Sequence, residues 1–298
     1  MGSLDGADDS FGRVMSATLD SRGRVLVADD RRHRIAVFGA DGRFVQAIGR
    51  LGRGPGEFQS PWIVAVDASD SVFVWDTEQS RISVFDPGLT FRRSFRVPPQ
   101  WLITTLKFLP TGDLLVAAYA RGERFGIRIL DREGNSVRAF GPVEASTELF
   151  GFESSLLGGT LDVTNDELIV YSRKSPYEIL VYDLAGRLQS RCTGDRAMTT
   201  APETVVDQQD RGVRLNWRRY VHSSGVVALG AGVFANTISD PVRDTRVVDL
   251  LNRNCQLLRR TRLNAPVSIV DRRGSRVVAV SNLEFPEVIV YSMRLNRR

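Results

Sequence analysis

The sequence predicts an all-β chain: a six-bladed β-propeller with four-stranded blades, its ring closed by N- and C-terminal segments that share a blade. Three observations lead there. The segment Gly49 to Pro61, GRLGRGPGEFQSP, has a ragged echo at Gly2 to Val14, and the same offset of 47 residues pairs Asp20 with Asp67, Val25 with Val72, Asp29 with Asp76 and Phe38 with Phe85. Each copy holds four short runs of Val, Ile, Phe and Leu, broken by Gly, Asp and Asn, which is the pattern of strands joined by tight turns. The cadence recurs six times over 298 residues in copies of about 43 to 59 residues; the sixth lacks an outer strand, and a surplus strand tail precedes the first. A propeller removes exposed sheet edges by arranging such blades round an axis.

Taken in order, the chain forms a single domain over 1–298, with blades at approximately 12–50, 60–97, 101–141, 152–193, 217–262 and 265–295. The second copy is the cleanest: IVAVD, the turn ASDS, VFVWD, then RISVFD, the turn PGLT and FRRSFRV. The third holds TTLKFLP, DLLVAAY, GIRILD and SVRAFG; the fourth LDVTNDELIVYS, EILVYD and LQSRC. The fifth holds YVHSSGVVALG, TRVVDL and CQLLRRTR, and the sixth SIVDRRGSRVVAVS and EVIVYS. The Gly-rich stretch is the crossing from an outer strand to the next inner strand. Gly54 and Gly56 supply permissive dihedrals there, Pro55 stiffness, and Phe58 a plug between sheets.

The cycle GPGEFQSPWIVAVDASDSVFVWDTEQSRISVFD resembles the NHL repeat: a Gly-Pro-Gly-x-Phe lead-in, an apolar strand ending in Asp, a second strand with an Asp turn, and an Arg-Ile opening of the third. The likeness is close from Leu4 to Val97 and is one of pattern in the later copies, where Arg-Ile becomes Gly126-Ile127, Glu178-Ile179, Arg246-Val247 and Glu287-Val288. The resemblance implies the six-bladed fold. It leaves function open, because similar scaffolds serve as protein and RNA platforms, sensors, lactonases and lyases.

Composition removes some classes. No apolar run approaches the ~18 residues that a membrane helix needs. The formal charge of +5 and the pI near 9.6 point toward polyanions, yet only Lys107 and Lys174 of the 40 basic residues are lysines and the arginines are spread evenly. Cys192 and Cys255 lie in different repeats and suggest no framework of bridges. Residues 1 to 12 carry no secretory signal. An upstream leader would make the protein periplasmic or lipoprotein-anchored, and a true start at Met1 would keep it in the cytoplasm.

Loop length separates the two faces of the disc. Turns between first and second strands and between third and fourth strands are minimal, whereas the long segments all fall in the other links: LGRGPGEFQSP, GPVEASTELFGFESSLLGG, TGDRAMTTAPETVVDQQDRGVRLNWRR and AGVFANTISDPVRD. Loops of that length in a compact domain usually carry function, so this face is the expected working surface. The candidate partner-binding residues on it are Trp62, Trp101, Arg124, Glu153, Asn216, Trp217, Arg218, Arg219 and Tyr220. The cluster NWRRYVH leads toward the inner strand of blade five and offers flat apolar surface beside bidentate donors. Arg31, Arg32, His33, Arg121, Arg124, Arg173, Lys174 and Arg243 would form a solvated cationic rim. Arg34 and Arg81 are expected in between-blade salt bridges, and Asp20, Asp67 and Asp271 as turn caps.

Catalysis finds little support. Two histidines, His33 and His222, fall short of a zinc site. The inner-strand mouths read Met15/Ser16, Ile63/Val64, Thr104/Thr105, Ser154/Ser155, Arg218/Arg219 and Val267/Ser268, a poor cage for calcium even with Glu153, Asp162 and Asn216 nearby. No catalytic residue, metal or cofactor is expected. The sequence therefore favours a non-catalytic binding or scaffold module for a protein partner or a small anionic ligand, of the kind that can serve as a subunit of a larger complex. A lactonase-like hydrolase or lyase at the channel mouth is the alternative, and RNA binding through a basic face is a third reading.

Overall fold

The computed structural model describes residues 10–120, 123–142, 158–174, 177–193, 203–207, 212–216, 221–240, 245–263, 267–282 and 286–293. Blade 1 comprises β1 (Val14–Leu19), β2 (Val25–Asp29), β3 (Arg34–Phe38) and β4 (Phe44–Ile48). Blade 2 comprises β5 (Pro61–Val66), β6 (Val72–Asp76), β7 (Arg81–Phe85) and β8 (Phe91–Arg96). Blade 3 comprises β9 (Leu102–Phe108), β10 (Leu114–Tyr119), β11 (Phe125–Leu130) and β12 (Ser136–Pro142). Blade 4 is formed by β13 (Gly159–Val163), β14 (Leu168–Arg173), β15 (Glu178–Asp183) and β16 (Leu188–Thr193). A hairpin of β17 (Glu203–Asp207) and β18 (Gly212–Asn216) follows, within the stretch expected to be one long loop. Blade 5 is β19 (His222–Gly230), β20 (Val233–Asp240), β21 (Thr245–Asn252) and β22 (Leu257–Leu263), and blade 6 is β23 (Val267–Arg273), β24 (Arg276–Asn282) and β25 (Pro286–Ser292). The segment AGVFANTISDPVRD, expected as a long link, is instead mostly β20, because β19 runs on as one strand to a tight turn at Ala231 and Gly232.

Five blades are antiparallel four-stranded sheets with strands in chain order, and the sixth has three among the described residues. No helix occurs among them. The first strand of each blade touches the first strand of the next, and β23 touches β1, so the ring is closed. Closure is made by packing: Val278, Val280 and Val288 of blade 6 share one core cluster with Val14, Ala17 and Val27 of blade 1. The fourth strand expected for blade 6 falls on residues 1–9, outside the described residues.

The burial pattern explains why this alternation makes blades. Every residue of β2 and β6 is buried, because middle strands have a neighbouring blade on both faces. The outer β8 alternates, with Phe91, Arg93 and Phe95 turned inward and Arg92, Ser94 and Arg96 exposed. Charge on that outer edge discourages pairing with another chain.

The Gly-rich crossing is built much as expected, with one change. Phe58 is fully buried and its N–H bonds the Arg50 carbonyl at 2.9 Å. The positive dihedrals belong to Gly49 (φ 84°) and Gly56 (φ 73°), not to Gly54. Gly54 instead donates its N–H to Glu57 Oε2 at 2.8 Å. At Gly49 a Cβ would stand 2.2 Å from the Phe58 ring, so both the dihedral and the space demand glycine. Arg81 does not form the expected salt bridge; its guanidinium bonds the carbonyls of Arg53, Gly54 and Glu57 and pins the crossing to blade 2. Arg34 lies 3.8 Å from Asp29 of its own blade and donates to the Ser10 carbonyl.

Candidate functional site

Alternate residues of the six first strands point to the axis and enclose a central channel of about 730 Å³. First strands of adjacent blades do not pair through their backbones, so side chains join them. Ser16 Oγ accepts from Val64 N at 2.8 Å, Thr104 Oγ1 donates to the Gly159 carbonyl at 2.6 Å, and Thr160 Oγ1 accepts from Val226 N at 3.0 Å. Ser268 Oγ donates to Ser224 Oγ at 3.4 Å. These four hydroxyl contacts hold neighbouring blades together, whereas Thr105 Oγ1, also on the channel wall, is buried without a partner among the described residues.

This arrangement corrects the inner-strand positions inferred from sequence in two blades. Thr160 and Ser224 line the channel in blades 4 and 5, where Ser154/Ser155 and Arg218/Arg219 were expected. The inner strands of the fourth and fifth copies are offset there because the preceding links are long. Residues 154, 155, 218 and 219 lie outside the described residues.

Deeper in the channel lies a charged girdle. Lys107 of β9 reaches across to Asp271 of β23, with Nζ 2.5 Å from Oδ1, and stands 3.7 Å from Asp162 Oδ1 of β13. Asp271 Oδ2 also accepts from Thr18 Oγ1 at 2.7 Å and Leu19 N at 3.2 Å, and Asp162 Oδ2 accepts from Ala228 N at 2.8 Å. Blades 1, 3, 4, 5 and 6 are thus linked through three side chains. Asp271 is not the turn cap that its place in the sequence suggested, whereas Asp20 and Asp67 are, accepting from Arg24 N and from Ser69 and Ser71 N.

The electrostatics follow from burial and proximity. Burial opposes the charge on Lys107, but Asp162 and Asp271 outweigh it and hold the ammonium above the ordinary lysine range. Burial pushes the Asp162 carboxyl upward, Lys107 opposes that, and the Asp271 charge adds to it. The girdle crosses the channel two residues before the turns that begin at Leu109 and Thr164, so it floors the channel near the short-turn face. The longer part of the cavity opens toward the other face.

At that mouth Trp62 is half-buried and lines the channel. The Arg13 guanidinium lies 6.0 Å from its ring centroid and is also paired with Asp30. Trp101 has a different role. It is 8% exposed, packs in the core between blades 2 and 3, donates Nε1–H to Glu123 at 2.9 Å, and carries Arg128 stacked 4.5 Å from its ring. Arg124 is exposed on the link between β10 and β11. Glu153, Trp217, Arg218, Arg219, Tyr220, Arg121 and Arg243 lie outside the described residues, and of Asn216 the structure describes the backbone alone, at the end of β18. His33 Nδ1 is 2.7 Å from the Gln59 carbonyl, Arg32 bonds Ser10 Oγ, and Arg173 pairs with Glu178 at 2.7 Å, so much of the cationic rim is engaged locally.

Two features escaped the sequence reading. Cys192 and Cys255 are joined in a disulfide, contrary to the expectation of no bridge, because the outer strand of blade 4 and the outer turn of blade 5 bring them to a Cα separation of 4.9 Å. Lys107 was noticed only as one of two lysines in an arginine-rich chain, and that rarity was the available signal. Among the described residues no group of three or more His, Cys, Asp or Glu could hold a metal ion.

A family profile described as "6-bladed beta-propeller" matches residues 6–149. The chain is a six-bladed propeller by sequence pattern and by shape. It is similar to a member of the DUF4221 family from Bacteroides vulgatus, with a TM-score of 0.62 at 9% identity, covering 94% of this chain and 93% of that one. A putative exported protein from Bacteroides fragilis matches with a TM-score of 0.60 at 15% identity, over 91% of this chain and 79% of that one. Virginiamycin B lyase from Staphylococcus aureus, solved with quinupristin, matches with a TM-score of 0.53 at 12% identity, over 89% and 76%. At these identities the likeness carries the fold alone. A comparison with curated protein sequences finds no match.

Proposed function

We propose that the protein is a non-catalytic, NHL-like binding module that engages a protein partner through the face on which the long links open. The observation that carries this reading is the asymmetry of the disc. On one face nine tight turns are each closed by an N–H of the first residue bonding the carbonyl four residues on, as in Asp20 to Arg24, Asp86 to Thr90 and Asn252 to Gln256. The strands that flank the long links all end on the opposite face, where the channel opens past Trp62 and Arg13.

The girdle supports the non-catalytic half. Lys107, Asp162 and Asp271 are bound to one another and to backbone N–H groups, which leaves no poised base among them. Two carboxylates on the floor also disfavour a small anion in the channel, so a protein partner is the better-supported occupant of this face. RNA binding gains no support from the arginines, many of which answer carboxylates of their own blade: Arg24 with Asp20, Arg92 with Asp86, Arg187 with Asp183 and Arg260 with Asp249.

The test is site-specific photo-crosslinking in the cells that produce the protein. A crosslinker at position 62 or 124 should yield a discrete protein adduct, and one at 132 or 187 on the short-turn face should not. Adducts confined to positions 132 and 187 would overturn the choice of face. Ester or lactone turnover by the purified protein would overturn the non-catalytic reading.

A further inference from the structure

We infer that the Cys192–Cys255 bridge is a native cross-link that replaces a recurring blade-to-blade contact, and that the chain matures where thiols are oxidised. The argument begins with strand register. In each of four blades the outer-strand residue opposite the first isoleucine of the third strand faces the following blade: Ile35 pairs with Ile48, Ile82 with Phe95, Ile127 with Phe140 and Ile179 with Cys192.

The partner position is equally regular. It is the left-handed residue of the next blade's outer turn: Leu89 (φ 69°), Gly134 (φ 92°), Gly186 (φ 80°) and Cys255 (φ 67°). Each donates its N–H to the carbonyl three residues back, Asp86, Asp131, Asp183 and Asn252 respectively. At two seams an aromatic ring lies flat on the turn glycine; a Cβ on Gly134 would be 2.2 Å from Phe95, and one on Gly186 would be 2.8 Å from Phe140. At the seam between blades 4 and 5 the aromatic becomes Cys192, the glycine becomes Cys255, and contact becomes a covalent bond.

Two physical points show that the pair is there for the bond. A left-handed dihedral is costly for a residue with a Cβ, and a side chain placed there needs a compensating contact: Leu89 has one in its burial within the core, and Cys255 has one in the bond to Cys192. This seam also buries polar groups beside its apolar cluster of Val170, Ile179, Val226 and Phe234: Ser172 and Ser223 both donate to Asn236 Oδ1, at 2.9 and 2.7 Å. The bridge braces it, and Ser190 Oγ adds a bond to the Arg253 carbonyl at 2.8 Å beside it. The cross-linked loop, with a sequence separation of 63, contains the β17–β18 hairpin together with β19, β20 and β21 of blade 5.

The bond forms by exchange with a disulfide donor of the compartment. One cysteine thiolate attacks the donor disulfide to give a mixed disulfide, and the second cysteine thiolate attacks that bond and displaces the donor; the donor leaves as a dithiol, having taken up the two electrons and the two protons that the cysteine thiols gave up. Reducing compartments keep such pairs open in most organisms, which is why the bridge speaks to location.

The experiment alkylates thiols with iodoacetamide in intact cells before lysis and reads the protein by mass spectrometry. The expected result is no alkylated cysteine and one peptide pair joined through Cys192 and Cys255. Two alkylated cysteines would overturn the inference. Calorimetry then compares Cys192→Ala/Cys255→Ala with Cys192→Phe/Cys255→Gly. The first is expected to melt about 5 to 10 °C below the wild type, from the lost loop constraint spread over a chain of this size. The second restores the contact used at the neighbouring seams and should recover at least about a third of that loss. Equal melting of the wild type and the double-alanine variant would refute a bracing role, and a Phe/Gly variant no better than the alanine pair would refute the equivalence of the seams.

Discussion

Removing the ammonium from the channel floor is the sharpest test of how this ring is held. Lys107→Met preserves most of the side-chain volume and leaves Asp162 and Asp271 without their cation. Breaking a buried ion pair from one side costs about 3 to 5 kcal/mol, and because Lys107 keeps 19% of its side-chain surface exposed the lower figure, about 3 kcal/mol, applies. For 298 residues that corresponds to a fall in Tm of about 5 °C. The loss must also depend on pH in one direction. Burial raises the folded pKa of Asp162 above its unfolded value, so its contribution is present in acid and declines as pH rises through the folded value. Without Lys107 the carboxyl rises further. The variant's deficit should therefore be larger at pH 8 than at pH 5, as the Asp162 carboxyl takes up a proton on acidification. Adding Asp271→Asn should bring the double variant within about 1 kcal/mol of the wild type, since Thr18 and Leu19 retain an acceptor and the surplus charge is gone. Urea denaturation at both pH values measures this. A midpoint unchanged at pH 8, or a deficit as large at pH 5 as at pH 8, would refute the girdle as a source of stability.

Three further outcomes follow from packing. Gly134→Ala and Gly274→Ala both place a Cβ at positive φ, but the first meets Phe95 at 2.2 Å and the second meets nothing within 4 Å. Urea unfolding should show a loss of about 3 kcal/mol for the first and about 1 for the second, the difference measuring one blade-to-blade contact. Phe58→Ala removes a fully buried ring and should cost about 3 to 5 kcal/mol by the same assay, and in that background Gly49→Ala should cost clearly less than in the wild type, because its clash partner is gone. Arg128→Lys should lose about 1 to 2 kcal/mol in calorimetry, since a lysine reproduces neither the stacking on Trp101 nor the bond to the Ala118 carbonyl.

What the sequence determined by itself was everything that repeats or depends on near neighbours. Strand runs of period two, Asp and Gly at the turns, and the 47-residue offset specified the blades and, outside blade 5, the division of short turns from long links, because each is a local preference of a few consecutive residues. Phe58 was legible as a plug for the same reason: its Gly-rich setting leaves little else for an aromatic to do. Contacts that cross the axis or a seam were not legible. Lys107 and Asp271 are 164 residues apart and meet because six blades bend into a closed ring, which no periodicity encodes. Asp271 looks in sequence like Asp20 and Asp67, yet a bulge in β23 between Ile269 and Asp271 and the curvature of the ring turn it onto the channel instead of the turn. Cys192 and Cys255 each read as an isolated residue until the blades were stacked. Local chemistry wrote the blades, and only the geometry of their assembly decided which side chains would share the middle.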